Sequence, residues 1–156
     1  AASGLPPAQL LLELTENVFL EHEEATLATL HALRALGVRL AIDDFGTGYA
    51  SLRQLRRFPV DVLKIDKTFV DGLALAEAGE DSGPEVALAR AIVALGETFS
   101  LRTVAEGIER APQGERLRQL GCDFGQGFLF GRALPAAELE RLLDDPVAAG
   151  AVAAAS

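Results

Sequence analysis

The stretch RLAIDDFGTG, residues 39–48, decides how this chain folds. Leu40, Ala41 and Ile42 make a short continuous apolar run, Asp43 and Asp44 end it, and Gly46 and Gly48 follow directly. A continuous run, rather than an alternating one, is what a strand needs when both faces of a parallel sheet are covered. Working outward, five such segments appear, at residues 10–14, 38–42, 60–65, 101–105 and, least regular, 124–129. Helical stretches lie between and after them. Residues 21–36 carry Leu27, Leu30 and Leu33 at helical spacing and end at Gly37, where a helix-terminating glycine belongs. Residues 51–57 form a short helix stopped before Pro59. Residues 84–99 form the longest, 111–120 another, and 135–143 a last one that opens on a proline. Strand and helix alternate, so the fold is α/β with a parallel sheet, either a (β/α) barrel or a doubly wound sheet. No G-x-G-x-x-G follows the first strand, which weakens the dinucleotide-binding version.

The charged residues gather where such folds keep their active sites, at the C-terminal ends of the strands. LLLELTE ends in Glu13 and Glu16, RLAIDDFGTG in Asp43 and Asp44, VDVLKIDK in Lys64 and Asp66, RTVAEGIE in Glu106 and Glu109, and DFGQGFLFG carries Gln126. Strand alternation puts Lys64 and Asp66 on one face, and pairs Leu11 with Glu13, Ala41 with Asp43 and Val104 with Glu106. Asp44 should point the other way, and joins Asp43 only if the chain is already turning, which Gly46 and Gly48 allow. Glu13, Asp43, Asp44, Asp66 and Glu106 against the one ammonium of Lys64 is a self-repelling set that demands protons or cations. Oxygen ligands favour hard ions such as Mg²⁺ or Mn²⁺, and an adjacent Asp pair suits two of them, roughly 3.5–4 Å apart as in phosphoester hydrolysis.

A single carboxylate at a strand end ordinarily caps the next helix or is simply solvated, and Glu16 and Glu109 suit such a role as well as a ligand role. Four strand ends together point to a site. Lys64 alone could be a structural ion-pair partner. His22 and His31 fall in the first helix, away from the strand ends, and read as surface or packing residues. Cys122 reads as a buried, inert thiol, and residues 77–84 (EAGEDSGP) as a solvated loop.

The bulk composition is consistent with this picture. The chain has 156 residues, 49% of them apolar, and a formal charge of −9. That acidity argues against DNA, whose binding needs Lys and Arg to replace counterions. No apolar run approaches the ~18 residues of a membrane span, and the first residues show no signal peptide. The chain has no methionine, so it is expected to be a segment of something longer, and its single cysteine fits a reducing cytoplasm.

Five motifs in order, ELTE (13–16), DDFGTGYASL (43–52), KID (64–66), AEGIE (105–109) and QGFLFG (126–131), resemble those of EAL-domain proteins. The resemblance runs from about residue 7 to residue 143, leaving residues 144–156 as an Ala-rich, disordered tail. It implies a TIM-like (β/α) barrel that hydrolyses the bacterial second messenger cyclic-di-GMP to linear pGpG, using two Mg²⁺ or Mn²⁺ ions. By motif, Glu13 would be a metal ligand, Asp43 would bridge two ions and Asp44 would bind the second. Lys64 would hold or polarise the attacking water. Glu106 would sit at the second ion and help activate that water, and Gln126 would contact the site or substrate. Glu16 would order the loop of residues 46–50, which contains Gly46 and Gly48 and in this family links dimerisation to activity. Asp66 and Glu109 are further participants, Asp66 toward the substrate. The family's EAL glutamate and a metal-binding asparagine lie upstream of ELTE, and residues 1–9 supply neither. A complete barrel has about 250 residues, so this chain is expected to be the C-terminal part of the domain, a partial barrel of five strands, and by itself inactive. In the longer protein the resemblance implies a homodimer and upstream GGDEF or sensor domains. The alternative is a degenerate EAL domain that binds cyclic-di-GMP or a protein partner without cleavage; an enolase-like barrel lyase is disfavoured by the DDFGTG loop.

Overall fold

The computed structural model describes residues 4–16, 23–46, 52–73 and 83–144. Within them the elements run β1 (Leu11–Thr15), α1 (Glu23–Ala35), β2 (Arg39–Phe45), α2 (Leu52–Arg57), β3 (Val62–Ile65), α3 (Lys67–Leu73), α4 (Pro84–Phe99), β4 (Arg102–Ala105), α5 (Ala111–Leu120), β5 (Phe124–Gly125) and α6 (Ala136–Asp144), after a 3₁₀ turn at Pro7–Gln9. All five strands are parallel and lie in chain order, β1-β2-β3-β4-β5. A doubly wound sheet reverses its strand order partway, whereas a barrel adds each strand beside the last. The order therefore decides for the barrel, and the five strands form an open arc of it.

Register separates the two faces. Leu12 and Leu14 lie beside Leu40 and Ile42, then Leu63 and Ile65, then Thr103 and Ala105. The apolar members of this face pack with Leu30, Leu55, Val70, Val86, Ala89, Ile92 and Leu117 from the helices into one core. The other face carries Glu13, Ala41, Asp43, Val62, Lys64 and Val104, which stand outside that apolar cluster. One helical layer on one face is the barrel wall, and the opposite face is its interior.

The expected strands and helices are found within a few residues of their bounds, with two corrections. The fifth strand is two residues long instead of six, because the chain turns at Gln126. At Gly127 a Cβ would lie 2.2 Å from the Ile108 carbonyl oxygen, so the FLF run packs back on the turn after β4 instead of extending the sheet. A seven-residue helix, α3, follows β3 where none was expected. Cys122 is half-buried rather than fully buried; its thiol, pushed up by burial, donates to the Phe124 carbonyl at 3.3 Å. His31 is exposed as expected. His22, Gly48, most of the acidic loop and residues 145–156 lie outside the described residues. No helix among the described residues is long and apolar enough to cross a membrane.

Among the described residues strands β1 and β5 each have one neighbour, and exposed apolar side chains stand at both edges in sequence: Leu10 directly before β1, and Phe124 in β5 with Phe128 soon after it. Open edges with apolar flanks are templates for association. The isolated chain is therefore expected to self-associate at micromolar concentration. A monodisperse monomer in sedimentation velocity, with a single cooperative melt, would contradict this.

Candidate metal centre

Two aspartates not singled out by the sequence stand at the opposite, N-terminal ends of the strands and serve the fold. Asp61 accepts the Leu40 amide (3.0 Å) and Arg34 (3.1 Å), and Asp123 accepts the Thr103 amide (2.9 Å) and Arg102 (2.5 Å). The acids at the C-terminal ends behave differently, because they converge on one cation. Lys64, buried on the interior face, places its ammonium 2.7 Å from Glu13 Oε2, 2.9 Å from Asp43 Oδ1 and 2.5 Å from Glu106 Oε1. The three acids come from β1, β2 and the residue after β4. Burial disfavours the ammonium, but the hydrogen bonds to Glu106, Glu13 and Asp43 outweigh it and hold Lys64 well above its ordinary value.

Asp44 reaches the same end through a bulge. Ala41 pairs with Val62 and Ile42 with Leu63, but Phe45 pairs with Ile65, so β2 spends three steps where β3 spends two. The extra residue is accommodated at Asp44, which takes the left-handed conformation (φ 54°), and Gly46 follows at φ 96°. Aspartate tolerates that conformation better than most residues. The strand is thus already turning at Asp44, and carboxylate oxygens of Asp43, Asp44 and Glu106 come within 4.8 Å of one another. Burial, then the Asp43 charge, then a hydrogen bond donated to Asp66 hold the Asp44 carboxyl above the usual range. Burial also lifts Glu106, against the pull of Lys64.

Asp66 sits one step past β3 and caps α3: its Oδ1 accepts the Thr68 amide at 2.9 Å and the Thr68 hydroxyl. Burial would raise its carboxyl, but these bonds and the one from Asp44 bring it below its ordinary value. Gln126 donates to Glu106 Oε1 at 2.6 Å. Glu16 is buried at the end of β1. Glu109 stands apart from the Lys64 cluster and pairs with Lys67 at 2.8 Å.

The sequence reading missed two residues that hold this end together, Lys67 and Gln113. Gln113 is fully buried; its Oε1 accepts the amides of Glu109 (3.0 Å) and Arg110 (2.8 Å), and its Nε2 donates to the Val70 carbonyl (3.2 Å). A glutamine three residues after a helix N-cap commonly reaches back this way, and R-A-P-Q was the available signal. Gln113→Leu takes this partner from the part-buried Glu109 and Arg110 amides and from the buried Val70 carbonyl. It is expected to lower unfolding free energy by about 3 kcal/mol, read as a fall in urea midpoint at constant slope; an unchanged midpoint would contradict the bracing role.

The donor set fits hard divalent cations: oxygen ligands only, several carboxylates against one ammonium, and two of them, Asp44 and Glu106, biased toward the neutral form by their surroundings.

Comparison with known proteins agrees. The family model described as "EAL domain" matches residues 1–133. The bifunctional diguanylate cyclase/cyclic di-GMP phosphodiesterase MucR of Pseudomonas aeruginosa is 48% identical over 136 residues, which is 87% of this chain and 19% of that protein. The cyclic di-GMP phosphodiesterase NbdA of the same organism is 42% identical, covering 90% of this chain and 17% of its own length. Among solved structures, the MucR phosphodiesterase in complex with c-di-GMP superposes with a TM-score of 0.79 at 46% identity, over 88% of this chain and 53% of that one. A manganese/cy-diGMP complex of Klebsiella pneumoniae BlrP1 gives 0.74 at 37% identity, over 84% and 32%. The chain thus spans about a fifth of the curated relatives and about half of the MucR structure. By sequence motif, strand order and family match together, the chain belongs to the EAL-domain, cyclic-di-GMP phosphodiesterase family.

Proposed function

We propose that this chain supplies part of a divalent-metal centre that hydrolyses cyclic-di-GMP to linear pGpG in the longer bacterial, cytoplasmic protein. The observation that carries the reading is the convergence of Glu13, Asp43 and Glu106 on Lys64, with Asp44 turned in beside them. Glu13, Asp43, Asp44 and Glu106 would hold two Mg²⁺ or Mn²⁺ ions, with Asp43 shared between them. Ions bound there supply Lewis acidity and neutralise phosphate charge.

The chain's own groups do the rest. Hydrolysis forms a bond from the water oxygen to phosphorus and breaks the bond from phosphorus to the 3′-oxygen, which ends as a hydroxyl. Lys64 presents a fixed positive charge to the water and to the charge that develops on the phosphoryl group. Glu106 would take the water's proton, and Gln126, which donates to Glu106 Oε1, would fix its orientation. Gln126 and Asp66 would contact the substrate. Glu16 would order the loop of residues 46–50, with Gly46 and Gly48, and couple it to a homodimer contact. The MucR relative, named as both a diguanylate cyclase and a phosphodiesterase, supports an upstream GGDEF partner domain. Residues 1–143 are read as one portion of the EAL domain and residues 144–156 as its tail.

By itself the chain is proposed to be nearly inactive, since a five-stranded arc does not close the mouth of an eight-stranded barrel. The test is cyclic-di-GMP hydrolysis with Mg²⁺ or Mn²⁺ by this chain beside the longer protein. Cleavage by the longer protein alone is the expected result. Equal cleavage by both would mean that the carboxylates described above suffice. Tight binding without cleavage by the longer protein would favour a receptor.

A further inference from the structure

The residue that closes the turn after β4 from outside is Lys67, at the first position of α3. Its ammonium lies 2.8 Å from Glu109 Oε1 and 3.2 Å from Asp71 Oδ1. Its aliphatic stem covers Gly107, the residue after Glu106: a Cβ there would meet Lys67 Cγ at 2.5 Å and Cδ at 2.7 Å, and the φ of +67° already favours glycine. The other sides of the turn are fixed as well. The Ile108 amide donates to the Gln126 carbonyl (3.0 Å), the Leu129 amide donates to the Ile108 carbonyl (2.9 Å), and the Glu109 amide is held by Gln113. Residues 106–109 are thus clamped between the segment that follows β5 on one side and α3 on the other; Gln113 joins the Glu109 amide to the Val70 carbonyl of α3, and Lys67 ties the Glu109 side chain and Gly107 to the β3–α3 junction carrying Lys64 and Asp66.

We propose that Lys67 is a positioning residue for Glu106: by pinning Glu109 and covering Gly107, it fixes the turn so that Glu106 stays against Lys64 and Gln126. The same contacts assign Glu109 a tethering role through Lys67. Lys67 and Glu109 are both about half exposed, so their pairing contributes little to global stability. Its consequence is local, in the placement of a reacting group, where displacements of about 1 Å are costly. The role in turnover rests on the hydrolase reading above; the clamp itself does not.

The test uses the longer protein with Lys67→Met, which keeps the stem and removes the charge, Lys67→Ala, which removes both, and Lys67→Arg, which keeps the charge. Hydrogen exchange at the Ile108 and Glu109 amides, Mn²⁺ affinity and steady-state kinetics are read together. The expected result is exchange that quickens severalfold in Lys67→Met and further in Lys67→Ala. In Lys67→Ala, Mn²⁺ affinity weakens and kcat falls about tenfold while KM moves less than about twofold, and Lys67→Arg stays near wild type throughout. Wild-type protection of both amides in Lys67→Ala would overturn the clamp. Faster exchange with unchanged kcat and Mn²⁺ affinity would overturn the positioning role. If the unmutated protein cleaves no cyclic-di-GMP, the hydrolase reading fails by itself, and exchange with Mn²⁺ affinity still decides for or against Lys67.

Discussion

Lys64→Met is expected to cost about 3 kcal/mol of stability in metal-free buffer and to abolish turnover in the longer protein. Methionine matches the volume of the lysine stem, so the packing beside Val104, its partner on β4, survives and the loss is electrostatic. Glu13, Asp43 and Glu106 would face one another across a few ångströms with no cation among them. Removing one partner of a buried ion pair typically costs 3–5 kcal/mol. The low end applies because the Glu13 side chain is 45% exposed and shares its charge with water. The deficit should depend on pH in a definite direction. Burial already holds Glu106 above the usual carboxylate range, and Lys64 is what pulls it back. Without Lys64, the folded-state value of Glu106 moves higher still. A raised folded value stabilises below the unfolded value and is lost as pH rises through the folded one. The gap between variant and wild type should therefore be small near pH 4 and widen toward pH 7, roughly across and above the ordinary glutamate range. Urea titrations at the two pH values check this; a gap independent of pH would mean that Lys64 matters for packing and not for charge.

How far the sequence foretold this site depends on the length scale of each feature. The carboxylates were legible because a parallel strand exposes its C-terminal end in a fixed place, and LLELTE, LAIDDF, VLKID and VAEGIE each put an acid there. Lys64 between Asp43 and Glu106 follows from alternation along β3 and its two neighbours. Asp44 was legible only as a condition: alternation turned it away, and Gly46 hinted at the turn that brought it back. The bulge itself is a property of two strands in register, which neither states alone. Helix α3 escaped because KTFVDGL is seven residues with a glycine inside, too short to show a period. Its N-cap, Asp66, was read instead as one more acid of the cluster, although a Thr two residues on is what a capping aspartate binds. The β5 error has the same root: FLF after Gly127 has strand composition, and only the approach of Gly127 to Ile108 redirects it. Lys67 with Glu109 and Gln113 with Val70 join residues more than 40 positions apart, and no local pattern announces such pairs.

Asp43→Asn is expected to reduce metal-dependent cleavage in the longer protein by on the order of 10³-fold while leaving the fold intact. Asp43 Oδ1 accepts from both Lys64 Nζ (2.9 Å) and the Asp44 amide (3.2 Å). An asparagine carbonyl can keep both bonds, so the bulge and the Lys64 cluster need not rearrange. What disappears is a negative charge and the second anionic oxygen, and with them the capacity to be shared between two cations. The loss separates into two measurements. In chelator-treated buffer the variant should melt at or slightly above the wild type, because the Asp43 charge is one of the causes that push Asp44 toward its neutral form. On adding Mn²⁺ the wild type should gain stability as RT ln(1 + [Mn²⁺]/Kd), and the variant should gain much less. An ordinary destabilising substitution gives the reverse pattern, a lower melt without metal and an undiminished gain with it. If the variant keeps both wild-type turnover and the full Mn²⁺ shift, Asp43 does not hold the ions, and the metal site must be rebuilt around Asp44 and Glu106, the other two carboxylates whose oxygens converge there.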